Sequence, residues 1–446
     1  MRYRTKVALV YLLGFFIDLL NMFIASIAYP DIGATFGAEV RELAWIGNAY
    51  LLGLTVVIAP SVWLAARFGE RRVLVASLLL FVVASLAAGF APGLAVLVIL
   101  RFVQGAAGGM LIPVGQAMTY RQYPAAERAG LTAIVMSVAL IVPAVSPTVG
   151  GLLVDRLSWR WIFWLNVPPA AIALALALWW LRRDEDRGRP AFDVTGFVLG
   201  GAAIAALLVG LSEFGAPEGR ITGLVLLGGA MVSGVAFVRW SARARTPMLR
   251  LDLLREPMLA TSMVVYQCVP GIFTGANVIF VVYLQQELSL SATATGLLML
   301  PWAVASGVAI ALTRRVFNRV GPRPLFVVGM LLESAGLALL FTIVAPQRAA
   351  VAIVAFALMG LGGSLCSSAA QSAAFVDTPA DELSHASALW NINRQASFAI
   401  GVALMALVFE LVSYRWTFAV AATLTLLPLP LALRLRKPRT LQPAQV

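Results

Sequence analysis

Stretches of about twenty apolar residues recur from one end of this chain to the other, and no other property restricts its fold as tightly. An α-helix rises 1.5 Å per residue, so about 20 such residues cross the roughly 30 Å hydrocarbon layer of a bilayer. Fourteen spans are predicted, over residues 7–29, 43–65, 73–91, 93–116, 130–153, 161–181, 192–212, 221–238, 258–283, 293–313, 324–344, 349–372, 391–412 and 414–433. With 61% hydrophobic and 12% charged residues, an all-α polytopic membrane protein is expected rather than a soluble core. The first stretch is too long for a removed signal peptide and lacks its small-residue cleavage site.

An even number of spans returns both termini to one side. Of the 33 Lys and Arg, 25 lie in the termini and in the loops after spans 2, 4, 6, 8 and 10, whereas six (Arg41, Arg156, Arg160, Arg220, Arg348 and Arg415) lie on the opposite side. By the positive-inside rule the termini are cytoplasmic, in a plasma (inner) membrane of bacterial type. The net charge of +12 is then explained by orientation and by attraction to anionic lipid, so the expected partner is the bilayer and not nucleic acid. Cys268 and Cys366 fall inside apolar spans and read as neither disulfide nor metal site. The single histidine, His385, is placed in a cytoplasmic loop; no catalytic constellation or metal cluster accompanies it, and an enzyme is not expected.

The longer loops, around 182–193 and 239–257, frame spans 7 and 8. Arg67-Phe68-Gly69-Glu70-Arg71 after span 2 is echoed by Arg319-Val320-Gly321-Pro322-Arg323 after span 10, an offset of 252 residues. Gln104-Gly105 with Gly108, Gly109 and Gln116 in span 4 is echoed by Met359-Gly360 with Gly362, Gly363 and Gln371 in span 12, an offset of 255. Two parallel six-span halves are implied, residues 1–185 and 258–446, with an inserted two-helix hairpin and its linkers over 186–257. Parallel repeats of this kind belong to secondary carriers whose halves rock about a midplane site.

The charges inside the spans are the candidates for chemistry. Asp18 is about 18 Å into span 1, and an ionised carboxylate there costs at least ~2.5 kcal/mol. Arg101 is about 12 Å from the outer end of span 4 and needs an anion or a polar cage. Asp18 is its attractive partner, directly or through water and Gln104; the alternative is a permanent pair, or bonds to carbonyls, that merely tie helices together. Glu333, some 15 Å into span 11, supplies a second acid in the other half, either functional or held protonated by a neighbour. Glu410 and Glu213, near outer span ends, read as interfacial. Asn21, Gln104, Gln116, Gln267, Asn277 and Gln371 either line a cavity or bond helix to helix. Tyr266, Phe273, Met299 and Trp302 either contact substrate or pack the bundle. Pro147 with Gly150 and Gly151 reads as a gating bend in span 5 or as tight packing.

In order along the chain, several motifs resemble the major facilitator superfamily, and within it the fourteen-span drug:H+ antiporters. Ile17-Asp18 with Asn21, Ala25, Ala28 and Pro30 is similar to LDxTxVNxALP; Arg101, Gln104, Gly105 and Gly108 match RxxQG. Ser146-Pro147-Thr148-Val149-Gly150-Gly151 is close to GPxxGG, and Ser158-Trp159-Arg160-Trp161-Ile162-Phe163 with Asn166 and Pro168 matches WRWxFxxNxP. In the loop after span 2 (GxLaDRxGRR), Arg67, Gly69, Arg71 and Arg72 remain, the first three as gating residues, while Val62 and Ala66 replace the first glycine and the aspartate that helps latch the cytoplasmic side. Val142 and Ser146 replace antiporter-element glycines.

The resemblance implies a monomeric, proton-driven exporter of lipophilic cationic drugs that needs no cofactor. Asp18, Arg101 and Glu333 would couple the proton. Asp18, Asn21, Gln104, Tyr266, Gln267, Phe273, Trp302, Glu333 and Gln371 would meet the small-molecule substrate. The alternative is a proton-linked carrier of a metabolite or organic anion with Arg101 as counter-charge. A sensor is disfavoured by the lack of an appended soluble domain, and a channel by the duplicated halves with midplane acids.

Overall fold

The computed structural model describes residues 1–183, 191–214, 219–287, 292–343 and 350–436; the side chains of residues 40, 41, 144, 147, 148, 285, 286, 292–296 and 350 stand outside that description. Among the described residues, fourteen helices are long and apolar enough to cross a membrane, and no strand occurs. They are α1 (Tyr3–Phe36), α2 (Glu42–Phe68), α3 (Glu70–Gly89), α4 (Leu94–Arg121), α5 (Ala125–Arg156), α6 (Trp161–Trp180), α7 (Val194–Phe214), α8 (Arg220–Ser241), α9 (Pro257–Leu284), α10 (Leu297–Val320), α11 (Pro322–Leu340), α12 (Val351–Val376), α13 (Leu383–Leu411) and α14 (Tyr414–Arg434). Each expected span is met by one helix. Fourteen crossings return the chain to the face it started from, called here the terminal face.

Helix α13 starts at Leu383, two turns before the apolar run that marks span 13. His385 is therefore helical and half-buried, not part of a loop. The added turns are held by buried polar contacts, which hydropathy does not detect: Ser387 and Asn391 both donate to Gln116 Oε1, at 2.7 Å each. Helix α1 passes through a 3₁₀ turn at Ala25–Ala28, and α9 through a π turn at Gln267–Gly271 that contains Pro270. A proline cannot donate the helical bond, and a π turn is a common way to absorb that loss.

The internal repeat has a backbone basis. Gly69 and Gly321 turn the chain between α2 and α3 and between α10 and α11 with φ of 95° and 76°, a region that favours glycine. Gly105 lets α4 lie directly on α2, where an added Cβ would stand 1.9 Å from Tyr50 O; Gly360 lets α12 lie on α10, where a Cβ would stand 2.4 Å from Trp302 O. Tyr50 and Trp302 are themselves 252 residues apart. Both halves thus join their second and fourth helices by a glycine-to-carbonyl contact at corresponding places, to which the first half adds Gly53 on Phe102 O and Gly109 on Leu54 O.

Helices α1–α6 pack on one another, as do α9–α14, and the two groups meet along α5–α10, α5–α12, α4–α13 and α2–α13. The hairpin touches both groups through α7, which packs on α2 and α13, while α8 packs chiefly on α7. Asp193 pins the hairpin base: its carboxylate accepts bonds from Gly196 N and Trp240 Nε1 at 2.8 Å and from Met248 N at 3.1 Å. Outside the membrane, Arg250 reaches Asp252 at 2.6 Å and Glu382 at 2.7 Å, and its hydrogen bond holds the Asp252 carboxyl below its ordinary range.

Gly105→Val is expected to cost about 1–3 kcal/mol or more, since backbone rather than a flexible side chain must yield. A lower unfolding midpoint of the purified protein in detergent would show it, and an unchanged midpoint would refute the contact.

Candidate functional site

Asp18 is fully enclosed in the first half, against α2 and α4. One carboxylate oxygen accepts a hydrogen bond from the Tyr50 hydroxyl, and the other has no partner among the described residues. Gly108 makes the room, since a Cβ there would lie 2.5 Å from Asp18 Oδ1. The glycine contact at Gly105 and the notch at Gly108 face the same turn of α2, so sequence places Tyr50 where its hydroxyl meets the acid.

Arg101 does not pair with Asp18. Its guanidinium donates to Asn21 Oδ1 at 2.9 Å, Gln104 Oε1 at 3.1 Å and Ile46 O at 3.0 Å, with Tyr50's ring centroid 4.4 Å from its central carbon. Gln104 in turn donates to Ser85 Oγ at 2.9 Å, and Asn166 reaches Asn21 at 3.4 Å. Neutral oxygens and a π face satisfy the cation, so Asp18 is left to Tyr50. Of the arrangements weighed from the sequence, a direct Asp18–Arg101 pair is absent; Gln104 and a backbone carbonyl do meet the guanidinium, together with Asn21, one turn beyond Asp18.

The halves are bound together near the terminal face. Gln116 accepts from Ser387 and Asn391, Gln371 lies 3.4 Å from the Tyr120 hydroxyl, and Arg128 donates to Phe375 O. Arg121 bridges Glu70 at 2.6 Å and Ser384 at 3.0 Å. Arg121 thus ties Glu70, at the start of α3, to α13, and a cavity of about 400 Å³ lined by Val62, Ala66, Glu70 and Arg121 opens beside the contact. Of the other expected gating residues, Arg67 is half-buried and Arg71 donates to Leu178 O at 2.8 Å. Gly150 packs against Ile24 and Ile27, but a Cβ on Gly151 would meet open space, and the backbone stays helical through Pro147, whose side chain is outside the described residues.

Beyond this seal lies a cavity of about 480 Å³ between α2, α7 and α13, within the range that drug-sized ligands occupy. Leu51, Leu52, Leu208, Phe398 and Val402 make it apolar, and Asn48, Thr55, Ser212 and Gln395 add polar points. Met22 on α1 also lines it, one helical turn beyond Asp18 on the same face. Two contacts hold the hairpin over the cavity: Asn48 donates to Ser212 at 2.9 Å, and Arg220 pairs with Glu410 at 2.6 Å.

The remaining candidates are dispersed. Glu333 is fully buried on α11 in the second half, where its carboxyl faces the backbone of α12 at Gly363, a glycine that gives it space. Phe273 and Trp302 stack, 5.5 Å apart, within the second half. Tyr266 packs on Trp390 and Phe398, Gln267 heads the π turn, and Gln371 and Gln116 belong to the seal rather than to the cavity. Two residues of the site escaped selection in the sequence. Tyr50 carries no signal there, since a tyrosine in a span reads as packing; Arg394 carries the same signal as Asp18, a charge inside a span.

The family model for the Major Facilitator Superfamily matches residues 11–275 and 262–445. The chain belongs to this superfamily. It is a membrane transporter and not an enzyme. Among superfamily relatives, it is 33% identical over 399 residues to a "Multidrug resistance protein B homolog" of Mycobacterium tuberculosis (strain CDC 1551 / Oshkosh), covering 86% of this chain and 72% of that one. It is 28% identical to "Drug efflux pump JefA" of the same organism, covering 88% and 78%. The fold is shared with the solved superfamily structure titled human organic anion transporter MFSD10 (TETRAN), at a TM-score of 0.71 and 16% identity over 97% of this chain and 100% of that one.

Gln116→Leu removes an acceptor that two residues of the opposite half share. Spin labels at Tyr123 and Thr378 are expected to gain a longer-distance population in this variant; an unaltered distance distribution would show that the seal does not hold the halves.

Proposed function

We propose that this transporter exports lipophilic, cationic compounds from the cytoplasm in exchange for protons, with its terminal face in the cytoplasm of a bacterial-type cell. The observation that carries the reading is Asp18: a carboxyl deep in the membrane, one oxygen held by Tyr50 and the other open, one turn below a drug-sized cavity. A proton and a substrate cation both neutralise that carboxylate, so each lowers the affinity for the other. Mutual exclusion at one group is what couples opposed fluxes. The names of the curated relatives, a multidrug resistance protein and a drug efflux pump, support export of drug-like molecules. The arginine and lysine asymmetry supports the orientation. One chain contains both halves and the cavity, and the proton gradient supplies the energy, so a monomer without a cofactor suffices.

The anion reading, with Arg101 as counter-charge, is less well supported, because that guanidinium is already engaged by Asn21, Gln104 and the Ile46 carbonyl. Glu333 is separated from Asp18 and is assigned no part in the proton step.

In proteoliposomes, Asp18→Asn is expected to abolish export driven by a pH gradient while leaving the protein folded; undiminished transport would reject the assignment. Ala403→Trp, which fills the cavity, should weaken export of bulky compounds more than of small ones. An equal effect on both would remove the cavity from the substrate route.

A further inference from the structure

Arg394, on α13 in the second half, is 8% exposed, yet it makes no ion pair and no side-chain hydrogen bond among the described residues, and its Nε is without a partner. Its guanidinium lies over the ring of Phe15 on α1, 5.3 Å from the centroid. Phe15 and Asp18 are three residues apart and share a helix face, so the cation comes from the opposite half to the turn of α1 that carries the acid. Tyr11 of α1 stacks on the same Phe15 ring, 6.1 Å between centroids, and Tyr266 of α9 packs on Trp390, one turn before Arg394. Asp18 itself is faced by Tyr50 and Arg101 within its own half and by Arg394 across the seam.

We propose that Arg394 is the tethered counter-ion of Asp18, and that the two form an ion pair across the halves whenever the acid is ionised and no substrate cation is bound. This rests on the reading of Asp18 as the proton-coupling carboxyl. A guanidinium that lies on a π face and has no carboxylate partner keeps donors to spare, and an ionised carboxylate with one open oxygen is its natural partner. Arg101 cannot serve, because its donors are engaged within the first half. The pair joins the two halves, so it resists their tilting. A proton taken from water onto the carboxylate dissolves the pair; a substrate cation dissolves it by replacing the guanidinium. Either species alone therefore frees the carrier to move, and the empty ionised form stays locked. That condition enforces exchange, because a carrier able to return empty would let substrate cross without a proton.

The test uses the full chain in proteoliposomes, with tetraphenylphosphonium as the lipophilic cation and an entrapped pH dye. Arg394→Met is expected to keep downhill tetraphenylphosphonium flux while the protons moved per substrate fall about tenfold, the effect of losing a lock worth about 1.4 kcal/mol. Arg394→Lys, which keeps the charge, should retain coupling. Adding Arg394→Met to Asp18→Asn should change nothing further, because the pair is already lost. A wild-type proton-to-substrate ratio in Arg394→Met, or equal uncoupling in the methionine and lysine variants, would overturn the proposal. If Asp18→Asn alone abolishes coupling and Arg394→Met does not, only the counter-ion role fails; if Asp18→Asn remains coupled, the Asp18 reading fails first. Should the methionine variant not assemble, the lysine variant decides: coupled transport supports the charge requirement, and uncoupled transport overturns it.

Discussion

Keeping one guanidinium satisfied where no water solvates it organises the first half of this protein. Arg101 draws Asn21 from α1, Gln104 from its own helix and the Ile46 carbonyl from α2 into one cage, and Gln104 extends it to Ser85 on α3. Four helices are thereby registered to one another by a polar network in hydrocarbon, where an unsatisfied donor is costly. The network also decides the state of Asp18. Because neutral oxygens supply the cage, the carboxyl is left to a phenol on one side and open on the other.

The architecture was largely legible in the sequence. Span length and the glycine echo between Gly69 and Gly321 led to fourteen helices in a duplicated arrangement, because bilayer thickness and backbone conformation act on local sequence alone. The site was legible only in part. Asp18, Asn21, Arg101 and Gln104 were selected and do assemble, since charge and amide groups inside a span stand out against an apolar background. Tyr50 did not stand out, because its role comes from the Gly105 and Gly108 contacts that present its hydroxyl to the acid. Gln371 and Gln116 resembled cavity residues, and only the packing of α4 on α13 assigns Gln116 to the seal. The pairing of Glu70 with Arg121 depends on the start of α3 meeting the end of α4, which no local pattern encodes.

The duplicated halves have divided the labour. The position 255 residues after Arg101 is Phe356, buried in an apolar cluster with Phe280 and Phe418. The second half therefore has hydrocarbon packing where the first has its cage. Its contributions lie at the seam: donors to the seal from the first turns of α13, and one wall of the cavity from the same helix farther along. A single helix thus carries both the closure at one face and part of the cavity beyond it.

The irregular turns of α1 and α9 make the two halves mechanically unequal. These helices are first in their respective repeats, yet the tightened 3₁₀ segment of α1 is about 33 Å from its start, near the far membrane surface, whereas the widened π segment of α9 is about 15 Å in, at mid-depth. One repeat yields at its rim and the other at its waist. A duplicated carrier whose leading helices bend at different heights is no longer two copies of one lever, and its halves are not interchangeable about the axis along the membrane normal that relates them.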